Sequence, residues 1–273
     1  MLEEAREINL TPDPGAQVLG DVANLLESHW RPSTQALVHH AARQSGPRKN
    51  MATHPYAEQV EAADSQRVTM LAVCLDLEGI LVPEVWVNVA ERTGIEALRR
   101  TTRDEPDYDV LMRYRLDILD ENGITIDDIT AAIEAMEPLE GAVGFLESLE
   151  RRWPTIVLSD TFSQFARPLM GKLGNPTLLC HTLVIEDSGR ISDWTIRLED
   201  QKRRTVEALR SMNFEVVAIG DSYNDTSMLA VASAGILFRP PDNVVEEFPQ
   251  YPVTRDYDGL MAAIGEAAAA LGE

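Results

Sequence analysis

Three short runs of apolar residues divide the chain, and each run ends in polar side chains. They lie at residues 71–75, 155–158 and 216–219 and are rich in β-branched and small residues, a pattern typical of buried strands. Asp76 and Glu78 follow the first run, two positions apart. Alternate residues of an extended chain point the same way, so the sequence predicts two carboxylates at one strand end.

The other two runs end in comparable groups. Ser159 and Asp160 follow the second run, and Asp221 follows the third, with Asp225 four residues further on. A spacing of four at a helix start places Asp221 and Asp225 on one face. Lys202 lies between the second and third runs and is predicted to begin a helix.

Between the first two runs the pattern is helical. Residues 84–93 and 107–122 carry apolar side chains at helical spacing and are followed by Gly94 and Gly123, which favour helix ends. Arg115 falls within the apolar stripe of the second helix, and a guanidinium in that position must find an anion or extend past its neighbours to water. A surface ion pair is the alternative explanation for Arg115.

Strands that alternate with helices predict an α/β fold with a doubly wound parallel sheet. A hairpin is indicated at residues 182–197, around the turn at 187–189. In such sheets ligands bind beyond the carboxyl ends of the strands, where Asp76, Ser159 and Asp221 are expected to meet.

Composition excludes several kinds of partner. The 273 residues carry a net charge of -21, which argues against binding to nucleic acid or to an anionic membrane surface. Cys74 and Cys180 are the two cysteines, and the position of Cys74 in a core strand favours a free thiol and a reducing compartment. With no secretory signal or apolar spanning segment in the sequence, the cytoplasm is the expected location.

The residues at the strand ends suit phosphoryl transfer, which needs an in-line nucleophile and cations around the phosphate oxygens. A carboxylate such as Asp76 can attack phosphorus and form an acyl phosphate. The crowded acids require a hard divalent cation, and Mg²⁺ suits carboxylates. Taken singly, Asp76 could be a turn carboxylate, Ser159 a helix cap and Lys202 a surface lysine; their order along the chain favours a shared site.

Six segments carry a resemblance to a known family. They read CLDLEGILVPE (74–84), TTRDEPDYDVLM-x-x-RL (101–116), PLEGAV (138–143), LSDTF (158–162), PTLLCH (176–181) and AIGDSYNDTSML (218–229). Together they resemble the phosphoserine phosphatases of the haloacid dehalogenase superfamily, and most closely the bifunctional phosphoserine phosphatase/homoserine phosphotransferase subgroup.

The resemblance implies a Rossmann-like core at residues 70–83 and 139–273, an inserted all-helical cap at 84–138, and an N-terminal extension at 1–69. From its composition the extension is expected to be largely disordered or weakly helical. The resemblance also implies a small-molecule substrate, a homodimer and a place in serine biosynthesis.

The same resemblance implies a role for each site residue. Asp76 would be the phosphorylated nucleophile and Glu78 the acid/base, with Mg²⁺ held by Asp76, Asp221 and the main-chain oxygen of Glu78. The substrate-binding residues would be Glu84 for the ammonium, Arg115 for the carboxylate, and Ser159, Asp160, Lys202 and Asn224 around the phosphate, with Asp225 in support.

One position departs from the family pattern, because most relatives have Asp where this chain has Glu78. Glu reaches one methylene further and could alter which acceptor is activated. The expected activity is Mg²⁺-dependent hydrolysis of phosphoserine through an aspartyl phosphate. The alternatives are transfer of the phosphoryl group to homoserine and a non-catalytic protein that binds an amino-acid phosphate.

Overall fold

The computed structural model describes residues 69–101, 104–105 and 107–272. The predicted extension lies outside the described residues, apart from Thr69. None of the described helices is long and apolar enough to cross a membrane.

A seven-stranded sheet forms the centre of the fold. Its strands are β1 (Met70–Leu75), β2 (Thr155–Phe162), β3 (Leu178–Ile185), β4 (Ile191–Thr195), β5 (Phe214–Gly220), β6 (Ala234–Phe238) and β7 (Val253–Thr254). The order across the sheet is β4-β3-β2-β1-β5-β6-β7. All neighbours are parallel except β3 and β4, which form the predicted hairpin.

Nine α-helices accompany the sheet in the described residues. They are α1 (Val85–Thr93), α2 (Tyr108–Glu121), α3 (Ile126–Glu134), α4 (Ala142–Glu150), α5 (Ser163–Lys172), α6 (Gln201–Ser211), α7 (Thr226–Val231), α8 (Asp242–Glu247) and α9 (Tyr257–Ala270). Short 3₁₀ helices lie at Glu96–Arg99 and Tyr223–Asp225.

Side chains on the two faces of β1 belong to two separate apolar clusters. Leu71, Val73 and Leu75 belong to the larger cluster, whereas Cys74 belongs to the smaller one on the opposite face. This alternation follows from the two-residue period of a strand. The sheet is therefore covered on both faces, which confirms the predicted doubly wound α/β class.

The predicted cap residues 84–138 contain only helical elements among the positions described. The hairpin contacts two of these helices: Arg190 donates to Asp120 on α2 at 2.8 Å, and Gly189 accepts from Ile126 on α3 at 2.9 Å. Thr125 and Asp128 form the capping box that the sequence predicts before α3. The hairpin thus helps to set where the cap lies over the carboxyl ends of the strands.

Several element bounds differ from the sequence prediction. β3 begins at Leu178 rather than at residue 182, because its first residues pair in parallel with Val157 and Leu158 before the hairpin starts. β2 continues past Ser159 to Phe162 through a register shift. Helix α8 and strand β7 were not predicted, since both are short and lack a clear period.

Candidate active site

The strand ends meet in one small pocket, as the sequence predicts. Nine of the ten predicted site residues line this cavity of about 90 Å³, and they come from the core and from the cap: Asp76, Glu78, Glu84, Arg115, Ser159, Asp160, Lys202, Asp221 and Asn224. The tenth, Asp225, is completely buried beneath it. The structure therefore brings the predicted residues together.

A tight loop after β1, which the sequence did not predict, brings Asp76 and Glu78 to the same pocket. The strand ends at Leu75, and the chain then closes a tight loop in which Gly79 donates to the carbonyl of Val82 at 2.8 Å. Gly79 has a φ of 77°, a conformation that favours glycine. The two carboxylates share the pocket because of this loop, not because an extended strand carries both.

Gly79 also leaves room for Asp221. A Cβ at position 79 would lie 2.5 Å from Oδ2 of Asp221. A side chain at position 79 would therefore displace an acid of the pocket. This close approach gives a second reason for glycine at the position.

Lys202 is the cation among these acids. Its Nζ lies 2.8 Å from Oδ1 of Asp225, 3.0 Å from Oδ1 of Asp76 and 3.7 Å from Oδ2 of Asp160. Burial opposes the charge, but Asp225, Asp76 and Asp160 more than offset it and hold the Lys202 pKa well above its ordinary value. The lysine is almost inaccessible, so the surface-lysine alternative is wrong.

Three buried acids lie close enough together to hold a metal ion. One ligand atom from each of Asp76, Asp221 and Asp225 can be chosen so that all lie within 4.8 Å. Asp225 is already engaged, since Oδ1 accepts from Lys202 and Oδ2 from the backbone amides of Asp221 and Ser222. Asp76 and Asp221 therefore provide the carboxylates that face the pocket.

In the absence of a bound cation, burial disfavours the charged forms of Asp76 and Asp221. Burial, reinforced by repulsion from Asp225, raises the pKa of Asp221 to about 7. Burial raises the pKa of Asp76 well above its ordinary value despite the attraction of Lys202. A hard divalent cation would favour the charged forms of both residues.

Asp160 behaves in the opposite way. Burial disfavours its charge, but Lys202, His181 and Gln201 together lower the pKa of Asp160 below its ordinary value. It therefore remains an anion beside the phosphate-binding candidates. Ser159 Oγ, directly before it, accepts from the amide of Thr161 at 3.2 Å.

Glu78 connects the pocket to the cap. Its Oε2 accepts from the amide of Val85 at 2.9 Å, at the first residue of α1. The N-cap residue Glu84 makes no side-chain cap hydrogen bond of its own, so Glu78 satisfies one of the free amides at this helix start. Burial, followed by the neighbouring Glu84, raises the pKa of Glu78 to about 8.

Arg115 lies inside the cap with its guanidinium against aromatic and polar groups. It is 5% exposed, donates to the carbonyl of Arg100 at 2.8 Å and lies over the Trp86 ring at 4.5 Å. Its Nε has no hydrogen-bond partner among the described residues. Burial lowers its pKa to about 10. The surface ion-pair explanation is wrong.

Sequence reasoning missed four polar or aromatic side chains around the site. Tyr108 and Trp86 line the pocket, Gln201 donates to the carbonyl of Ser159 at 2.6 Å, and His181 Nε2 lies 3.6 Å from Oδ1 of Asp160. Tyr108 and His181 stand within segments that resemble the family, but no charge or period marked them. Gln201 could have been suspected only from its position beside Lys202.

The chain matches a known family of hydrolases. A model of the haloacid dehalogenase-like hydrolases matches residues 21–233. The chain belongs to this family. The match begins ahead of Met70, where the resemblance of the motifs starts.

Curated relatives place the hydrolase among the phosphoserine phosphatases. The chain is 55% identical over 191 residues to "Phosphoserine phosphatase ThrH" of Pseudomonas aeruginosa. This match covers 70% of this chain and 93% of the relative. It is also 55% identical over 187 residues to a phosphoserine phosphatase of Pseudomonas syringae pv. tomato, covering 68% of this chain and 79% of the relative.

Solved structures support the same fold. A substrate-bound phosphoserine phosphatase complex matches with a TM-score of 0.60 and 21% identity, over 72% of this chain and 99% of the other. A phospho-aspartyl intermediate analogue of phosphoserine phosphatase matches with the same TM-score at 20% identity, over the same shares of both chains. At these identities the likeness concerns the fold.

Proposed function

We propose that this hydrolase cleaves O-phospho-L-serine to L-serine and phosphate, a reaction of serine biosynthesis. One observation carries the proposal: Asp76, Lys202 and Asp221 meet at one pocket over which the cap places Glu84 and Arg115. The core side of the pocket suits a phosphate, and the cap side suits an ammonium and a carboxylate. The 55% identity to two phosphoserine phosphatases supports the same substrate.

The residues fit Mg²⁺ as a cofactor. Asp76 and Asp221 offer hard oxygen ligands, the main-chain oxygen of Glu78 would add a third, and both acids have raised pKa values. When bound, the ion neutralises negative charge on the phosphoryl group during transfer.

The first half-reaction transfers the phosphoryl group to the protein. Asp76 attacks phosphorus, the bond to the seryl oxygen breaks, and Glu78 gives its proton to that oxygen. A carboxylic acid with a pKa of about 8 still carries its proton at neutral pH, which suits a general acid. Ser159 and Lys202 hold the phosphate oxygens, while Asp225 and Asp160 keep Lys202 in place.

The second half-reaction releases phosphate. Glu78, now ionised, takes a proton from water as the water oxygen bonds to phosphorus and the bond to Asp76 breaks. The cap residues Glu84 and Arg115 bind the amino-acid part of the substrate, and Asn224 lines the same pocket. A cytoplasmic location and a homodimer stay predictions.

Phosphate release from phosphoserine in the presence of Mg²⁺ tests the proposal. We expect the Asp76→Asn variant to lose activity, whereas Asp117→Asn, an exposed acid on α2, should match the wild type. A panel of phosphoserine, phosphothreonine and phosphohomoserine should show phosphoserine as the preferred substrate. Equal rates for the wild type and Asp76→Asn would disprove the assignment of Asp76 as the nucleophile.

Transfer to homoserine is a second candidate, favoured by Glu78. The longer side chain places the acid/base differently from the Asp that most relatives carry, and both activities would use the same acyl phosphate on Asp76. Phosphohomoserine formed from phosphoserine and homoserine would establish this activity. A non-catalytic binding role is disfavoured because Asp76, Lys202 and Asp221 are retained together.

A further inference from the structure

Tyr108 joins the cap to the phosphate-binding strand end. It is the first residue of α2, and its hydroxyl donates to the main-chain oxygen of Asp160 at 2.9 Å. Burial, followed by the charge of Asp160, raises the pKa of the phenol above its ordinary value, so the hydroxyl remains a donor. Asp160 lies near the end of β2, next to Ser159. This hydrogen bond therefore joins the cap to the core.

Asp160 is held firmly from the core side. Gln201 Nε2 donates to the carbonyl of Ser159 at 2.6 Å and lies 3.3 Å from Oδ1 of Asp160. His181 Nδ1 accepts from the amide of Arg197 at 3.2 Å, so in the neutral ring Nε2 carries the proton and faces Asp160. The core therefore presents a fixed carbonyl to Tyr108.

The same two residues line two cavities. The catalytic pocket of about 90 Å³ and a second, larger cavity of about 900 Å³ are both lined by Tyr108 and Asp160, together with Ser222 and Asn224. Tyr108 and Asp160, which this hydrogen bond joins, therefore contribute to the lining of both cavities. Breaking the hydrogen bond would free the Tyr108 side chain, which lines both.

Tyr108 is also aligned with the residue expected to bind the substrate carboxylate. Arg115 follows it by seven residues on α2, two turns further on and on nearly the same face. Both line the catalytic pocket. An anchor at Tyr108 would therefore also constrain the position of Arg115 relative to Ser159, which lines the same pocket.

We propose that Tyr108 is a positioning residue whose hydroxyl fixes α2 on the end of β2, so that Arg115 binds the amino-acid part of the substrate while Ser159 and Lys202 hold its phosphate. The proposal rests on the proposed function and deepens it. It assigns to Tyr108 the coupling between the two halves of the site.

A comparison of two tyrosine variants on the same helix tests the proposal. Tyr108→Phe keeps the ring and removes the hydroxyl; Tyr114→Phe is the matched control, because Tyr114 lies against the Arg100 guanidinium and outside the pocket lining. For Tyr108→Phe we expect KM for phosphoserine to rise about three- to tenfold, the effect of one hydrogen bond, with kcat within about twofold. With 4-nitrophenyl phosphate, which lacks the amino-acid part, kcat/KM should stay within about twofold.

Amide hydrogen exchange provides a readout that does not depend on the substrate. In the unliganded protein, amides of α2 should exchange about three- to tenfold faster in Tyr108→Phe than in Tyr114→Phe. Equal exchange in the two variants overturns the anchor. Faster exchange with an unchanged KM, or an equal loss on both substrates, overturns the coupling to recognition.

The two proposals can fail separately. If the wild type hydrolyses 4-nitrophenyl phosphate but not phosphoserine, the proposed function fails. The exchange comparison then decides the anchor on its own: faster exchange in Tyr108→Phe supports it and equal exchange overturns it.

Discussion

Lys202 Nζ lies 3.0 Å from Oδ1 of Asp76, and both side chains are almost completely buried. The two residues are 126 positions apart in the sequence: Asp76 directly follows β1, and Lys202 lies in the first turn of α6. Their contact joins the expected nucleophile to the expected phosphate ligand. It also makes the charge on each residue depend on the other, which leads to the first prediction.

Replacing Lys202 with Gln should damage both activity and stability. The change leaves Asp76, Asp160 and Asp225 without their shared cation, and removing one partner of a buried ion pair costs about 3–5 kcal/mol in the free energy of unfolding. We expect phosphoserine hydrolysis to fall to background. Denaturant titration and a phosphate-release assay measure the two effects.

Arg203→Gln is the control for this change. Arg203 is the next residue of α6, but it pairs with Asp200 and Glu207 at the exposed surface, where ion pairs contribute about 0–1 kcal/mol. Its activity should be that of the wild type. Similar stability in the two variants would show that the buried acids do not need Lys202.

The stability of the metal-free protein should fall as pH rises from about 4 to about 8. The pKa of Asp221 is raised to about 7, and that of Asp76 is raised well above its ordinary value of about 4. A folded-state pKa above the unfolded value means that the folded protein binds more protons over this interval, so the free energy of unfolding is largest below the unfolded pKa and decreases through the folded one. Thermal unfolding at several pH values measures the trend.

Mg²⁺ should reverse this loss. Because the ion favours the ionised carboxylates, the rise in Tm on adding Mg²⁺ should be larger at pH 8 than at pH 5. Asp221→Asn should show a smaller rise with Mg²⁺ and a flatter pH profile. Asp160 does not produce the trend, because its pKa is lowered and its contribution is complete above about pH 4. A Tm increment independent of pH would contradict the metal assignment.

Replacing Arg115 with Met should impair recognition of the amino-acid part of the substrate. The variant keeps an unbranched apolar stem against Trp86 but loses the guanidinium. We expect KM for phosphoserine to rise about 10- to 100-fold, as hydrogen bonds to charged groups contribute about 1.5–3 kcal/mol. KM for 4-nitrophenyl phosphate should change by less than about threefold. Steady-state kinetics with both substrates separate the effects.

Arg113→Met is the matched control. Arg113 lies on the opposite side of α2, where it donates to Asp193 at 2.8 Å and lies over Trp194. The sequence distinguishes the two arginines, because only Arg115 falls within the apolar stripe. An equal effect of Arg115→Met on both substrates would remove Arg115 from carboxylate recognition.

The sequence predicts the core of the site because strand ends are marked by local patterns. Asp76, Ser159 and Asp221 each follow an apolar run, and parallel strands bring such ends together. Asp225 was placed correctly in the cluster, but its position beneath the pocket depends on Lys202 and the amides of residues 221 and 222. Long-range partners of this kind leave no pattern in a single sequence.

The contacts between cap and core were less accessible for the same reason. The partner of Tyr108 is 52 residues away. Tyr108 is a matched position of the motif at 101–116 and Tyr114 is not, but nothing in the local sequence indicates that partner. The departure at Glu78 was visible, but its link to Val85 was not, because that link depends on the tight loop at Gly79. Because of this loop, the extra methylene of Glu78 brings its carboxylate to the amide of Val85 at the start of α1.

Two substitutions at Glu78 should separate its chemical role from its structural one. Glu78→Gln keeps an oxygen that can accept from Val85 but cannot transfer a proton, so kcat should fall about 10²- to 10⁴-fold with Tm unchanged or raised, since burial disfavours the charged form. Glu78→Asp keeps a carboxyl group, but this group falls about 1.5 Å short of the Val85 amide at the start of α1. It should lose about 1 kcal/mol of stability, the usual effect of a lost helix cap, and retain more activity than Glu78→Gln. If Glu78→Asp is as stable as the wild type, the longer side chain of Glu78 acts only on the acceptor of the phosphoryl group and does not stabilise the start of α1.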